Sequence, residues 1–415
     1  MDISKLHLFE GFGIELEYMI VDRETLDVKP VADQLIKEVA GSYASEIDRG
    51  ALSWSNELVL HVIELKTNGP AALLQGLHER FQIEVNEINR RLESYNAMLL
   101  PSAMHPWMDP FKEMKLWPHE YNPVYEAYNR IFDCRGHGWA NLQSTHINLP
   151  FSGDEEFEKL HAAVRVILPL LPAIAAASPI ADGEIKTQAD FRLHVYRHNA
   201  AKVPSVTGDV IPEPVFSGED YDREIFQRMY RDIMPHDPNQ MLQDEWLNSR
   251  GAIARFDRGS IEIRLLDIQE CPLADLAVAR IIIDTIKALV GERWSALQEQ
   301  KEWNVEALYT ILLNTIEKAE NAIMANNDFG RLFGFSAGAN EPTARDFWAH
   351  LFSALYGKKE VAGDKVLQAL EKIIEKGTLS SRIKKALPAE PEKNEIKKVY
   401  EQLGECLAEG KLFIA

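Results

Sequence analysis

The sequence predicts an α+β fold in which a β-sheet region is followed by a helical region. Within the first 290 residues, several segments alternate apolar residues with other side chains at every second position, which is the pattern of strands with two different faces. After Glu292 the apolar residues recur every three or four positions over nearly all of the remaining chain, as they do in amphipathic helices. We therefore expect a sheet-bearing α+β region over residues 1–290 and a helical region over residues 291–415 that packs on it.

Length and charge limit the classes of function. The chain has 415 residues, of which 46% are apolar, so it can bury its core in one large domain or in two to three smaller ones. It carries 45 Lys and Arg against 64 Asp and Glu, for a net charge of −19. A general nucleic-acid binder needs a basic surface, so this balance argues against that class, and an anionic ligand would need local cations.

Cysteine usage and hydropathy favour a soluble protein of a reducing compartment. Cys134, Cys271 and Cys406 are widely spaced, so neither a zinc knuckle nor a disulfide framework is indicated. The first residues lack the apolar stretch of a secretion signal, and no run approaches the roughly 20 apolar residues of a membrane span. We expect a cytoplasmic protein with no membrane and no nucleic-acid partner.

The predicted elements of the first hundred residues begin with a strand over 12–21, where apolar residues alternate with Glu15 and Glu17. Apolar residues at helical spacing predict a long amphipathic helix over 74–92. The other expected elements, in chain order, are a turn at 22–25, a short helix at 30–39, a strand region at 52–65 and a strand at 97–105.

The middle of the chain holds a stretch, 107–128, that is rich in Pro, Trp and Tyr. Its composition predicts an irregular loop over a site, and we consider it a candidate lid. Beyond it we expect strand regions at 138–149 and 252–268, helices at 157–178 and 273–289, and an irregular stretch at 187–214. The helices expected in the C-terminal region lie at 305–325, 343–355, 366–375 and 394–407.

Carboxylates inside apolar strands are the chemically informative feature. A buried carboxylate is costly unless positive charge faces it, so these acids suggest divalent cations. Glu15 and Glu17 lie two residues apart and project from one face of an extended strand about 7 Å apart, which suits two neighbouring metal ions. In the alternative, one carboxylate caps a loop and the other pairs with a basic residue.

Glu57 and Glu64 form a second acidic pair. Their separation of seven residues would place them on opposite faces of a regular strand, so they can serve one site only if a bulge or turn intervenes. Asn56 and His61 mark plausible positions for that irregularity. The alternative is that Glu57 is a solvent-exposed strand start.

Two later strands add a histidine and an arginine. His146 shares a strand face with Ser144 and Asn148, and a neutral imidazole is a good ligand for a divalent cation beside carboxylates. The alternative is a hydrogen-bonded core histidine. Glu262 and Arg264 also share a face, so that one can bind metal while the other reaches a phosphate, unless the two form a structural salt bridge.

The donor types favour a hard cation beside phosphates. Oxygen-rich sites without thiolate select Mg²⁺ or Mn²⁺ over zinc. The sequence has neither a GxxxxGK[ST] loop nor a GxGxxG motif after a strand, so carboxylate-held metals would have to bind the phosphates. The candidate cations that could bind phosphate are Arg250, Arg255, Arg258 and Arg264, together with Arg192, Arg197 and Lys202. For each of them except Arg264, the alternative is a solvated surface side chain.

Four segments in order resemble the glutamate-cysteine ligase family, specifically the type-two carboxylate-amine ligases that share the catalytic sheet of glutamine synthetase. They are GFGIELEYMIVD, the segment from Glu57 to Glu64 with its ELKT ending, STHINLPF, and RFDRGSIEIRLLDIQ. The resemblance covers about residues 10–290. Many relatives have a glycine just before the metal histidine and a second histidine two residues after it, where this chain has Thr145 and Asn148.

The resemblance implies a curved, mainly antiparallel sheet that holds the active site, with helices on its outer face. It also implies a ligase of the cytoplasmic glutathione biosynthesis type, in which ATP phosphorylates the γ-carboxylate of glutamate and the amine of cysteine attacks the acyl phosphate. Such sheets often form homo-oligomers. The implied roles are one metal on Glu17, Glu57 and Glu64, a second on Glu15, His146 and Glu262, catalysis by Glu262 and Arg264, and ATP contacts by Arg264, Arg258 and Arg255.

Two other classes of function remain open at this point. Paired metal ions on carboxylates also activate water, so a metal-dependent hydrolase is possible on the same residues. A non-catalytic protein that binds metal or nucleotide through the same sheet is the third class. Turnover without ATP would indicate the hydrolase, and unchanged behaviour after Glu262→Ala would indicate the non-catalytic protein.

Overall fold

An antiparallel sheet of eight strands organises the residues that the computed structural model describes, 6–336 and 341–415. In chain order the strands are β1 (Gly13–Asp22), β2 (Glu46–Asp48), β3 (Leu52–Asn56), β4 (Val62–Thr67), β5 (Ala97–Leu100), β6 (Ser144–Pro150), β7 (Ile180–Ala181), β8 (Glu184–Ile185), β9 (Ala252–Arg255) and β10 (Ser260–Asp267). The order across the sheet is β2-β3-β4-β1-β6-β10-β9; β5 pairs with the end of β1, and β7 and β8 form a separate hairpin.

Helices surround this sheet. In chain order they are α1 (Ala32–Ala40), α2 (Leu77–Leu92), α3 (Pro110–Glu113), α4 (Asn122–Phe132), α5 (His137–Ala140), α6 (Gly153–Ile167), α7 (Pro172–Ala175), α8 (Phe191–Tyr196), α9 (Gly218–Tyr221), α10 (Gln227–Ile233), α11 (Pro272–Val290), α12 (Leu297–Lys301), α13 (Val305–Lys318), α14 (Asn327–Arg331), α15 (Ala344–Leu355), α16 (Lys358–Gly363), α17 (Lys365–Lys376), α18 (Leu379–Lys385) and α19 (Lys393–Glu409). A π-helical turn, Asp222–Phe226, joins α9 to α10. Among the described residues, no helix combines the length and the apolar character needed to cross a bilayer.

The central strand β1 has one apolar face, as its alternation predicts. Ile14, Leu16, Tyr18 and Ile20 are fully buried in the main core, to which α2, α6 and α11 contribute. Burying each such side chain contributes about 1.5 to 3 kcal/mol. This face therefore holds the outer helices on the sheet.

The opposite face of β1 is divided between polar and apolar residues. Glu15 and Glu17 occupy its first half, and Met19 and Val21 occupy its second half. The second half is fully buried in a smaller core with residues of α18 and α19. The C-terminal helices therefore cover one end of this face, and the acidic half lies beyond them.

Several predicted strands differ in extent. The region 52–65 is a hairpin of β3 and β4 joined by the loop 57–61, so the predicted irregularity does lie between Asn56 and His61. The region 252–268 is likewise a hairpin, since Gly259 has a φ of +66° and lets the chain reverse. The predicted strand 138–149 is wrong in its first half, where α5 precedes β6.

Two predicted elements are interrupted by local backbone chemistry. The helix expected over 157–178 ends as α6 at Ile167, because Pro169 and Pro172 lack the N–H that a continuous helix would use. The strand expected over 97–105 ends at Leu100, and Ser102 has a φ of +83°, which turns the chain.

The candidate lid, 107–128, is packed and partly helical, so the irregular loop predicted there is wrong. It contains α3 and the first part of α4, and Trp117 is fully buried. Its backbone bonds the 57–61 loop, with the amide of Leu60 donating to Lys115 at 2.9 Å and the amide of Trp117 donating to Leu58 at 2.9 Å. The buried indole anchors this segment as a wall of the fold.

Candidate active site

One face of the sheet collects the acidic residues that the sequence singled out. In the register, Glu17 lies directly opposite Glu64 of β4, and Glu15 lies directly opposite His146 of β6. Glu262 of β10 lies opposite the residue two positions beyond His146. Residues directly opposite each other share a face, so four strands bring their polar side chains together.

His146 belongs to two groups of possible metal ligands. Glu15, His146 and Glu262 form one group, Glu17, Glu64 and His146 form the other, and within each the ligand atoms lie within 4.8 Å of one another. Nδ1 of His146 is 2.8 Å from Glu15 and 3.8 Å from Glu262, whereas Nε2 is 3.7 Å from Glu17. Each ring nitrogen therefore faces a different group.

The first group contains a cross-strand ion pair. Burial lowers the pKa of His146, but the hydrogen bond with Glu15 and the charges of Glu17 and Glu15 outweigh it and raise this pKa to about 9. Burial raises the pKa of Glu15, yet the bond and charge of His146 and the charge of Lys66 bring it down to about 2. The imidazole and the carboxylate are thus charged together.

The second group and the nearby Glu57 together carry more negative charge than the neighbouring cations neutralise. Burial and the charge of Glu15 raise the pKa of Glu64 to about 7, although Lys66 lies 3.2 Å away and the Ser55 hydroxyl donates to the carboxylate. Burial and the charges of Glu17 and Glu64 raise the pKa of Glu57 well above its ordinary value. These residues therefore fit a hard divalent cation, which would supply the missing positive charge.

Glu57 lies in the loop after β3 and joins neither three-residue group among the described residues. The chain reverses after it, so the odd separation from Glu64 places no constraint on their faces. Asn56 donates to the hydroxyl of Tyr125 at 3.0 Å and to the carbonyl of Glu57 at 3.1 Å. The α4 helix thus holds this loop beside the acidic face.

Arg264 provides a cation on the same face. Its Nε lies 2.9 Å from Glu262, and its side chain is 27% exposed, so part of the side chain reaches solvent. Burial lowers its pKa, but the charges of Glu262, Tyr196, Glu15 and Glu17 together outweigh burial and raise it. The guanidinium is therefore a permanent positive charge beside the first ligand group.

The family model described as glutamate-cysteine ligase family 2 matches residues 11–402. The chain belongs to glutamate-cysteine ligase family 2. An uncharacterised protein of Archaeoglobus fulgidus is 32% identical over 97% of this chain and 100% of its own length. A Paracoccus denitrificans protein named "Putative glutamate--cysteine ligase 2" is 24% identical over 71% of this chain and 69% of its own length. A protein of that name from Corynebacterium glutamicum is 27% identical, over 45% of this chain and 46% of its own length.

A solved structure is similar over nearly the whole chain. The glutamate-cysteine ligase of Francisella tularensis, determined in complex with AMP, superposes with a TM-score of 0.62 at 12% identity, covering 98% of this chain and 90% of its own. The likeness confirms the expected glutamine synthetase-like α+β fold, with the antiparallel sheet at its centre.

The two other arginines expected at ATP lie at the edge of the sheet in this family member. Arg255 of β9 is buried on the face of Glu262, 3.3 Å from Asp257 and 3.6 Å from Glu245. The side chain of Arg258 is 64% exposed in the turn between β9 and β10. The carboxylates that these two arginines contact are therefore Asp257 and Glu245, neither of which belongs to a ligand group.

The remaining candidate cations mostly serve the framework. Arg250 binds Glu213 through two nitrogens, at 2.6 and 2.7 Å, and Arg192 pairs with the buried Asp267. Arg197 donates to the hydroxyl of Tyr309 at 2.7 Å, and Lys202 is exposed. Arg250, Arg192 and Arg255 are buried, so surface solvation is the wrong expectation for all three.

Two polar residues of the site were missed from the sequence. Lys66 lies opposite Glu15 and contacts Glu64, and Ser55 donates to Glu64 from β3. Lys66 lies two residues after Glu64, so the period of a strand could have placed it on this face. No local signal identifies Ser55, because its position depends on the β3–β4 pairing.

Proposed function

We propose that this family member is an ATP-dependent carboxylate-amine ligase that joins the γ-carboxylate of glutamate to the amine of cysteine. The observation that carries the proposal is the presence of two metal-ligand groups, sharing His146, with Arg264 on one sheet face. Membership in glutamate-cysteine ligase family 2 supports the reaction class. The AMP complex of the Francisella tularensis ligase supports a binding site for an adenine nucleotide, which we assign to ATP.

The proposed metal ligands are the crowded acids. Glu17, Glu57 and Glu64 would hold one Mg²⁺ or Mn²⁺, and Glu15, His146 and Glu262 would hold another. Bound there, the ions would supply charge neutralisation for the phosphates of ATP. The raised pKa values of Glu57 and Glu64 support this assignment, because a divalent cation would relieve the same repulsion that raises them.

The proposed reaction needs positioning and fixed charge more than a covalent side chain. The γ-phosphoryl group of ATP passes to the substrate carboxylate and ADP leaves. The amine then attacks the acyl carbon, phosphate leaves, and the nitrogen loses a proton. Arg264 would donate to the transferred phosphoryl oxygens, and the carboxylate of Glu262 lies 2.9 Å from its Nε as an ion-pair partner.

Two further roles concern residues around the acidic face. Arg255 and Arg258 would contact ATP from the sheet edge. The packed 107–128 segment and the C-terminal helices would limit the entry of water, which would otherwise hydrolyse the acyl phosphate. The same reaction would place the protein in cytoplasmic glutathione biosynthesis.

Purified protein supplied with ATP, Mg²⁺, glutamate and cysteine should release ADP and phosphate and form a γ-glutamyl product that mass spectrometry detects. Screening other amino acids in the same assay identifies the amine partner. Intact nucleotide binding without ADP release for any amino-acid pair would refute the ligase. Hydrolysis of an ester or amide without ATP would favour the hydrolase instead.

Variants connect the activity with the site. Glu262→Gln keeps the size of the side chain but removes its charge, so we expect ligation to fall at least tenfold with folding unchanged. Glu24→Gln is the matched control, because Glu24 is exposed in the turn after β1. Equal activity of the two variants would contradict a role for Glu262.

A further inference from the structure

The strand that carries Arg264 is irregular where it passes the histidine. β10 pairs with β6 through Ile263 opposite Ile147 and Leu266 opposite Thr145. Two residues of β10, Arg264 and Leu265, therefore occupy the interval opposite the single residue His146, which is a β-bulge. A bulge re-aims the side chains of its strand, and here Leu265 is fully buried while Arg264 is partly exposed beside Glu262.

A chain of main-chain hydrogen bonds supports this bulge from the side away from β6. The amide of Arg264 donates to the carbonyl of Gly251 at 2.9 Å, and the amide of Gly251 donates to the carbonyl of Val210 at 2.7 Å. The backbone position of Arg264 is thus set through Gly251.

Gly251 is required at this point for space. A Cβ at this position would lie 2.6 Å from Cδ1, 2.7 Å from Cγ and 2.8 Å from Cδ2 of Leu265. Contacts below 3.0 Å require something to shift, and Leu265 has no exposed surface into which it could move. Any side chain at 251 would therefore push against the bulge itself.

The loop behind Gly251 is held rigidly. Val210 is buried with a φ of +67°, a strained conformation for a β-branched residue. The neighbouring Arg250 is fully buried and binds Glu213 through Nε and Nη2. Its third guanidinium nitrogen, Nη1, donates to the carbonyl of Ser205 at 3.1 Å. These bonds keep the loop from yielding when the bulge is pushed.

We propose that Gly251 is a positioning residue for the ligase reaction, acting through the bulge that aims Arg264 at the His146–Glu262 group. This inference rests on the proposed function. Gly251 itself touches no reacting atom; its missing side chain lets Leu265 fill the core and leaves Arg264 beside Glu262. Displacement by about 1 Å of a group that contacts the transferred phosphoryl can lower the rate on the order of 100-fold.

Gly251→Ala should therefore lower kcat by roughly 10- to 100-fold, with KM for ATP and for the amino acids changed less than about threefold. Binding of Mn²⁺ to the acidic groups should remain, because Arg264 is not among the proposed ligands. Gly363→Ala is the matched control, since Gly363 is exposed at the end of α16 and a Cβ there meets nothing within 4 Å. We expect the control to match the wild type in both kcat and thermal midpoint.

Leu265→Ala provides the decisive comparison. It removes the three atoms that a Cβ at Gly251 would strike, so it leaves a void under the bulge and should itself lower kcat. In that background Gly251→Ala fills the void and should raise kcat, the opposite of its effect in the wild type. The direction of this change in kcat is measured by comparing Leu265→Ala with the double variant. That comparison is available even when Gly251→Ala alone fails to fold.

Each outcome decides the inference. A kcat that rises from Leu265→Ala to the double variant, with Mn²⁺ binding retained, supports it, whether or not Gly251→Ala alone folds. A wild-type kcat in Gly251→Ala, or an equal loss in both backgrounds, would overturn it while ligation by the wild type still stands. A wild-type protein that forms no product with any amino-acid pair would instead overturn the proposed function and the inference together.

Discussion

Replacing Arg382 with methionine tests how tightly the C-terminal helices belong to the sheet region. Arg382 lies on α18, and its guanidinium binds Glu270, which precedes α11 and is 112 residues away in sequence. The same side chain donates to the carbonyl of Phe413 at 2.6 Å and to that of Gly377 at 3.1 Å. One residue therefore joins α18, the chain end and the sheet region.

The expected cost follows from burial. The side chains of Arg382 and Glu270 are 2% and 0% exposed, so Arg382→Met leaves a carboxylate in the interior without its cation. Breaking such a buried pair costs about 3 to 5 kcal/mol, a large fraction of the roughly 5 to 15 kcal/mol that stabilises a typical domain. Glu270→Leu in the same chain should recover part of that loss, because it removes the stranded charge.

Urea denaturation of the wild type, Arg382→Met and the Glu270→Leu/Arg382→Met double variant measures these free energies of unfolding. Arg331→Met is the control, because its pair with Asp328 is 72% exposed on both sides and should contribute little. A free energy of unfolding for Arg382→Met equal to that of the control would refute the reasoning, as would a double variant less stable than Arg382→Met.

Three further outcomes are expected. Glu17→Gln should weaken Mn²⁺ binding at least tenfold in calorimetry and abolish ligation, whereas unchanged binding would remove Glu17 from the proposed ligands. Trp117→Ala should lower the free energy of unfolding by about 3 to 5 kcal/mol and make the 107–128 segment sensitive to protease, since it deletes a fully buried indole; a small effect would restore the lid hypothesis. Burial and the charge of Arg165 lower the pKa of His161 to about 3. That histidine therefore contributes stability that is present above its unfolded pKa of about 6.5 and is lost as the pH falls towards 3. When the pH falls from 7 to 5, the difference in unfolding free energy between His161→Phe and the wild type should shift by about 2 kcal/mol in favour of the variant. A difference that does not change with pH would contradict this.

The class of the fold and most helices of the C-terminal region follow from local patterns. Helices such as α17 and α19 end within two residues of their predicted bounds, because amphipathic periodicity directly reports which positions are buried. The predictions failed where one apolar run contains an unforeseen chain reversal, as at the β9–β10 hairpin. Both arms of a hairpin are buried strands, and only their pairing distinguishes them from one long strand.

The candidate site shows the same division. Alternation alone places Glu15 with Glu17 and Glu262 with Arg264 on shared faces, because the strand period is local. That these six residues bind metal remains a prediction. The strand register decides which of them lie opposite each other, namely Glu17 with Glu64 and Glu15 with His146. Register depends on turns and on burial of the other face, which no single segment encodes.

By itself the sequence determined that acids lie within apolar strands, that they favour hard cations, and that the segments resemble glutamate-cysteine ligase family 2. Only the tertiary structure decided that His146 lies between two ligand groups, that Arg192 and Arg250 serve the framework, and that a bulge presents Arg264. The physical reason is that strand periodicity and residue chemistry act within a few residues, whereas cross-strand pairing, buried ion pairs and steric fit such as that of Gly251 against Leu265 arise between segments far apart in the chain.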